Sequence, residues 1–309
     1  MRIAIVGAGG IGGYVGARLA EAGEDVTLIA RGQHLAAIRA DGLRVESPLG
    51  NAHVRPRLAT ETPAEAAPAD VILFTVKLPD LDAAARAARP MAHAGTRIVA
   101  LQNGVDARGI LSAHYPAESI AQGVIYLAAY ITAPGVIGTP GGKHQMIVDS
   151  LGGDAVLGAF FDAIDRAVAL DVVRDAQSEV TLWQKFTAQA SIAAVTALTR
   201  LPLGGVFASP EATALLRQLI EEAVKVATAS GIALPPDHAA GALALYRQQP
   251  GAQSSSLLVD IEAGKPTELA WLSGRVHALG VALGVPTPAH STAWHALAPY
   301  RDGPPARLV

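Results

Sequence analysis

Short apolar runs mark the first half of this 309-residue chain, and helical periodicity marks the second. The runs fall at residues 2–6, 26–30, 71–76, 97–101 and 119–126, each bounded by polar or glycine-containing stretches. Runs of this length, separated by helical or loop segments, predict strands of a parallel sheet covered on both faces. Residues 134–154 are richer in Gly and Pro and predict hairpin strands at one edge of that sheet. From about residue 175 only helical patterns remain. Residues 178–201 read as one helix that stops before Pro202, and Ser209-Pro210-Glu211 caps another that ends near Gly231. Residues 237–248, 268–283 and 290–300 predict three more. The expected fold class is α/β, with a Rossmann-type doubly wound sheet over residues 1–172 and an all-helical domain over residues 173–309. The active site is expected in the cleft between them.

The first strand runs straight into Gly7-Ala8-Gly9-Gly10-Ile11-Gly12, a G-x-G-x-x-G that opens a helical stretch and precedes the second strand. Gly7 permits the tight turn, Gly9 removes a Cβ that would block a pyrophosphate, and Gly12 lets helix and strand pack closely. Residues 7–12 are therefore the expected cofactor loop, with phosphates at the helix N-terminus, where free N–H groups favour anions. NAD-specific folds place an acid at the end of the second strand. This chain has Arg31 there, whose guanidinium suits a 2′-phosphate, so NADP(H) is favoured over NAD(H). A solvated surface arginine is the plainer alternative.

Composition narrows the partners. Half the residues are hydrophobic and 17% are charged, enough apolar content for a sizeable core. The formal charge is −3 with no basic block, which argues against nucleic acid. The chain has no cysteine, which excludes disulfides, thiolate ligands and a cysteine nucleophile. Its nine histidines lack metal-ligand spacing, so no metal is expected. Neither a signal peptide nor a membrane-spanning apolar run is evident, and the expected location is cytoplasmic. Oligomeric state stays open, although the apolar helical half suits a homodimer.

Candidate chemistry sits after strands and along one helix. Lys77 follows the run at 71–76, and Asn103 follows the run at 97–101. Open α/β sheets bind ligands at those carboxyl ends, so both point to the cofactor crevice. A solvated lysine and a plain Asn-Gly turn are the competing readings. Lys185, Gln189 and Ala193 share one helix face among apolar or small neighbours. A desolvated lysine there has a lowered pKa and is a competent proton donor near neutrality, whereas a snorkelling lysine is the alternative. Ser254, Ser255 and Ser256 precede a helix and offer donors for a small carboxylate, or simply a helix cap. Glu268 opens a further helix, where dipole complementation is the plain reading.

Taken together these residues resemble the ketopantoate reductase family, the 2-dehydropantoate 2-reductases. The resemblance is carried by the glycine loop, Arg31, Thr75-Val76-Lys77, Leu101-Gln102-Asn103-Gly104-Val105 and Trp183-x-Lys185. It continues through Ser255-Ser256 with Asp260, Gly264-x-Pro266-Thr267-Glu268 and Gly284-Val285-Pro286-Thr287-Pro288. It implies a helical C-terminal domain like that of 6-phosphogluconate dehydrogenase, and NADPH-dependent reduction of the C2 ketone of a small-molecule 2-oxo acid. It further implies Lys185 as the proton donor, Glu268 as its catalytic companion, Ser255 and Ser256 at the carboxylate, and Asn103 at nicotinamide and substrate. Lys77 and Glu268 would bracket the reacting groups and contact the cofactor.

The chain departs from the family at three places. Pantoate-forming members usually carry asparagine one and two helical turns beyond the lysine and at the start of the serine cluster. Here those positions are Gln189, Ala193 and Gln253. Gln189 and Gln253 keep an amide for the substrate, while Ala193 has none. The expected activity is reduction of ketopantoate to pantoate, a step of pantothenate and coenzyme A biosynthesis. Turnover of a different 2-oxo or 2-hydroxy acid is the alternative, and a non-catalytic NADP(H) sensor is a third reading.

Overall fold

The structure, a computed structural model, describes residues 1–304. The chain divides into two compact units, Met1–Ser178 and a second that begins at Glu179. Twelve strands lie in the first unit among the described residues: β1 (Arg2–Val6), β2 (Asp25–Ile29), β3 (Leu43–Glu46), β4 (Ala52–Val54), β5 (Leu58–Thr60), β6 (Val71–Phe74), β7 (Arg97–Ala100), β8 (Ile120–Tyr126), β9 (Tyr130–Ala133), β10 (Val136–Gly138), β11 (Gln145–Asp149) and β12 (Asp171–Asp175). The helices among them are α1 (Gly10–Glu21), α2 (Gly32–Asp41), α3 (Leu78–Ala88), α4 (Ala107–Leu111) and α5 (Ala155–Asp165).

Eight strands form the main sheet in the order β12-β11-β8-β7-β6-β1-β2-β5. The six from β8 to β5 are parallel, and in chain order they run 3-2-1-4-5-6, the order of dinucleotide-binding sheets. The central strands are apolar on both faces, as helix-covered strands must be: all four residues of β6 are buried, as are Ile3 to Val6 of β1. Val6 pairs with Ile29 on one side and Phe74 on the other, and Phe74 pairs with Ala100. These strands therefore end level. Gly7, Arg31, Lys77 and Asn103 all follow in the same row of loops.

The stretch at 134–154 does not form an edge hairpin. β10 leaves the main sheet for a four-stranded one ordered β4-β3-β10-β9. Its Ile137 is fully buried against α1, where a Cβ on Gly13 would come within 2.9 Å of the Ile137 Cδ1. The small residue on α1 thus makes a seat that draws β10 away. β11 does join the main sheet, antiparallel to β8, but β12 pairs beyond it. Five strands leave no long apolar run: β4 and β5 have three residues each, β3 alternates buried and exposed positions, β12 has no buried residue, and all of β9 faces solvent.

The second unit is helical: α6 (Ser178–Thr199, starting one residue before the division), α7 (Leu203–Ala208), α8 (Pro210–Ala229), α9 (His238–Arg247), α10 (Ser256–Glu262), α11 (Ser273–Leu283) and α12 (Pro288–Leu297). Ile192 and Val195 of α6 pack with Leu216, Leu219 and Ile220 of α8 in its core. The helix expected over 268–283 is broken. Leu269–Trp271 form a short 3-10 turn, and Leu272 leaves helical geometry at φ −111° and ψ −102° before α11 begins. Leu269, Leu272 and Val276 are all buried, and their helix-like spacing hides the break. No helix among the described residues is long and apolar enough to cross a membrane.

Candidate active site

In the first unit the glycine loop is shaped by its own contacts. Gly7 has φ +104°, and a Cβ there would lie 2.7 Å from Val76 Cγ1. Thr75 Oγ1 donates to the Gly7 carbonyl at 2.8 Å, while the Gly7 and Ala8 N–H groups donate to the Ile29 carbonyl. A Cβ on Gly12 would overlap the Gly7 carbonyl oxygen and Thr75 Oγ1, and one on Gly10 would overlap the Ala129 carbonyl. These glycines are required by the fold. Gly9 differs, because nothing lies within 4 Å of where its Cβ would be. The chain itself does not need a glycine there, whereas a pyrophosphate approaching the helix does. The first backbone bond of α1 runs from Gly13 N–H to Gly9 O, so the amides of Gly10, Ile11 and Gly12 precede the intrahelical ladder. The loop fits a dinucleotide.

Around it, the Arg31 side chain is 78% exposed and makes a loose 4.0 Å approach to Asp80. Such a surface pair contributes little and leaves the guanidinium available. Lys77 is the N-cap residue of α3 with its side chain exposed, and Asn103 is half-buried in the loop after β7. Gln102, to which the sequence pattern assigns no role, is buried and donates to the Val76 carbonyl at 3.2 Å. It ties the Asn103 loop to the Lys77 loop. No spacing or charge in the sequence marks this tie, because β6 and β7 come side by side only in the folded sheet.

In the second unit the site is built on α6. Trp183 and Phe186 are buried edge-to-face, with ring centroids 5.5 Å apart, and Thr187 Oγ1 lies 2.8 Å from His238 Nε2 of α9. These contacts fix the turn that carries Lys185. Burial lowers the Lys185 pKa to about 8, against a smaller opposing effect from the Glu268 carboxylate. Glu268 is 8% exposed and sits at the N-cap of the 3-10 turn, yet its side chain makes no capping bond there. One helical turn beyond Lys185, the Gln189 Oε1 is buried without a partner. One turn further, Ala193 is 2% exposed.

The serine cluster divides. Ser255 is the N-cap of α10: its Oγ accepts from Leu258 N at 3.2 Å and lies 2.6 Å from Thr196 Oγ1 of α6. Its hydroxyl is thus engaged in capping and in holding α10 to α6. Ser256 is exposed at the first position of α10, and Gln253 is exposed, with its carbonyl accepting from Leu203 N at 2.9 Å.

Two family models cover most of the chain. One, described as Ketopantoate reductase PanE/ApbA, matches residues 3–152, and the other, its C-terminal part, matches residues 178–301. The chain belongs to the ketopantoate reductase family. It is therefore an oxidoreductase of the ketopantoate reductase type, in a family of nicotinamide-dependent enzymes. It is 31% identical over 278 residues to a 2-dehydropantoate 2-reductase of Halobacterium salinarum, covering 89% of this chain and 91% of the relative. A PanE/ApbA family ketopantoate reductase from Ralstonia eutropha JMP134 superposes with a TM-score of 0.89 at 33% identity, covering 97% and 98% of the two chains. A D-mandelate dehydrogenase solved with NADH and anilino(oxo)acetate shares the fold, with a TM-score of 0.88 at 20% identity and coverage of 97% and 98%.

Proposed function

We propose that this chain reduces a 2-oxo acid with NADPH, that ketopantoate is the substrate its family membership favours, and that Lys185 donates the proton. The observation that carries the reading is Lys185 itself, a desolvated lysine held near a pKa of 8 beside the buried Glu268. Residues 7–12 would hold the cofactor pyrophosphate, Arg31 the 2′-phosphate, and Lys77 and Asn103 the nicotinamide end. When bound, NADPH supplies the hydride that converts the C2 ketone to a hydroxyl. Negative charge builds on the ketone oxygen, and the Lys185 ammonium stabilises and then protonates it. Water restores the lost proton. Glu268 keeps enough of Lys185 protonated at neutral pH for this role, since burial alone would lower the pKa further. Ser256 binds the substrate carboxylate, and Gln189 and Gln253 face the substrate tail. Ser255 contributes through the first turn of α10.

A second reading keeps this machinery and changes the substrate. Ala193 is a buried apolar position on the Lys185 stripe, and the buried Gln189 Oε1 is the polar group beside it. Ala193 offers no amide to a terminal hydroxyl where pantoate-forming members usually carry asparagine, so a 2-oxo acid with a more apolar tail than ketopantoate is also supported. NADPH absorbance followed with a panel of 2-oxo acids, with and without a terminal hydroxyl, tests both readings. Turnover of ketopantoate above the rest supports the first, and preference for an apolar 2-oxo acid supports the second. No NADPH oxidation with any member of the panel would sink both.

A further inference from the structure

We propose that Thr267 is a positioning residue that sets the Glu268 carboxylate for its work with Lys185, and that residues 300–304 form the strap that holds Thr267 in place. The inference rests on the reading of Lys185 as proton donor and deepens it.

Thr267 is 5% exposed. Its N–H donates to the Arg301 carbonyl at 2.8 Å, and its hydroxyl donates to the same oxygen at 3.3 Å. That hydroxyl also accepts from Leu269 N at 3.4 Å. Backbone and hydroxyl of Thr267 together fasten the residue before Glu268 to Arg301, and the hydroxyl opens the turn that Glu268 caps. Glu268 is the next residue in the chain and the N-cap of that turn, so the bonds of Thr267 hold the backbone from which its carboxylate projects.

The strap is anchored at both ends. Its first residue, Tyr300, lies under the Arg200 guanidinium just past the end of α6, at 5.2 Å. At the other end, Gly303 is buried with φ +120°, and its missing Cβ would lie 3.6 Å from the Gly264 carbonyl oxygen. The Pro304 ring lies 3.6 Å from where a Gly264 Cβ would be. Gly264 begins the loop that leads to Glu268. The strap thus touches the residue that follows the helix of the proton donor and the loop of its carboxylate companion. A carboxylate raises the proton affinity of a buried ammonium only while it is held close.

The test is a pH titration of the apo protein labelled with 13C-lysine, following the Cε signal of Lys185. The wild type is expected to titrate near 8. Thr267→Val keeps the shape and removes the hydroxyl, so the midpoint should fall by about one unit, whereas Thr267→Ser should keep it. A one-unit fall also cuts the protonated fraction at pH 8 about fivefold, with a matching loss in kcat and unchanged NADPH affinity. Gly303→Ala strains the strap away from the chemistry and should lower the midpoint in the same direction. It carries the test alone if Thr267→Val does not fold. A folded Thr267→Val or Gly303→Ala with the wild-type midpoint would overturn the proposal, as would Thr267→Ser shifting as far as Thr267→Val. The titration needs no turnover, so a wild type inactive on 2-oxo acids would count against the proposed function and leave this result standing.

Discussion

Lys185 is balanced between two environments. Burial strips water from the ammonium and drives its proton affinity down, while the Glu268 charge pulls it partly back. The active form for reduction is the protonated one, so the rate should be full below the midpoint and fall as pH rises through about 8. A kcat–pH profile with its alkaline limb there is expected, and removal of the carboxylate by Glu268→Gln should move that limb to lower pH. A profile flat from pH 6 to 10 would mean that another group delivers the proton. Arg31 tests the cofactor in the same way. A charge-assisted bond to a 2′-phosphate is worth about 1.5–3 kcal/mol, so Arg31→Ala should narrow an NADPH-over-NADH preference by roughly ten- to a hundredfold in kcat/KM. Equal use of both cofactors by the wild type would remove Arg31 from the site.

At the scale of elements, glycines of one motif play separable parts. Gly12 is pressed against the Gly7 turn, and Gly9 faces open space. Gly12→Ala should therefore destabilise the protein by about 1–3 kcal/mol in urea unfolding, as overpacking typically does. Gly9→Ala should leave unfolding nearly unchanged and weaken NADPH binding in a fluorescence titration. Equal stability losses for both variants would show that Gly9, too, serves only the fold. This motif was legible from sequence because strand, turn and helix follow one another locally. The four-stranded sheet was not legible. Ile137 finds its place through the bare face of α1 at Gly13, a contact spanning more than a hundred residues of chain. The break at Leu272 was hidden for the opposite reason, since Leu269, Leu272 and Val276 keep helical spacing across it.

Over the whole molecule, the α/β class and the change to helices alone were readable from period and run length. The level strand ends that align Gly7, Arg31, Lys77 and Asn103 required the register. The share of stability given up at the site is measurable. A lysine with its pKa lowered from 10.5 to about 8 binds fewer protons folded than unfolded between those values, so its unfavourable contribution is largest below 8 and fades as pH rises towards 10.5. Lys185→Met lacks this dependence. From pH 7 to pH 10, wild-type stability should therefore gain on that of the variant by about 2–3 kcal/mol, at about 1.4 kcal/mol per unit. Urea unfolding of both proteins at the two pH values checks this, and parallel curves would mean that Lys185 is not desolvated. The central claim, that Lys185 protonates a 2-oxo acid reduced by NADPH, is tested most directly by single-turnover NADPH oxidation with saturating 2-oxo acid, comparing wild type with Lys185→Ala. The account predicts a rate lower by about 10²–10⁴-fold in the variant, with NADPH affinity unchanged. A variant that turns over at the wild-type rate, or that loses NADPH binding instead, would contradict it.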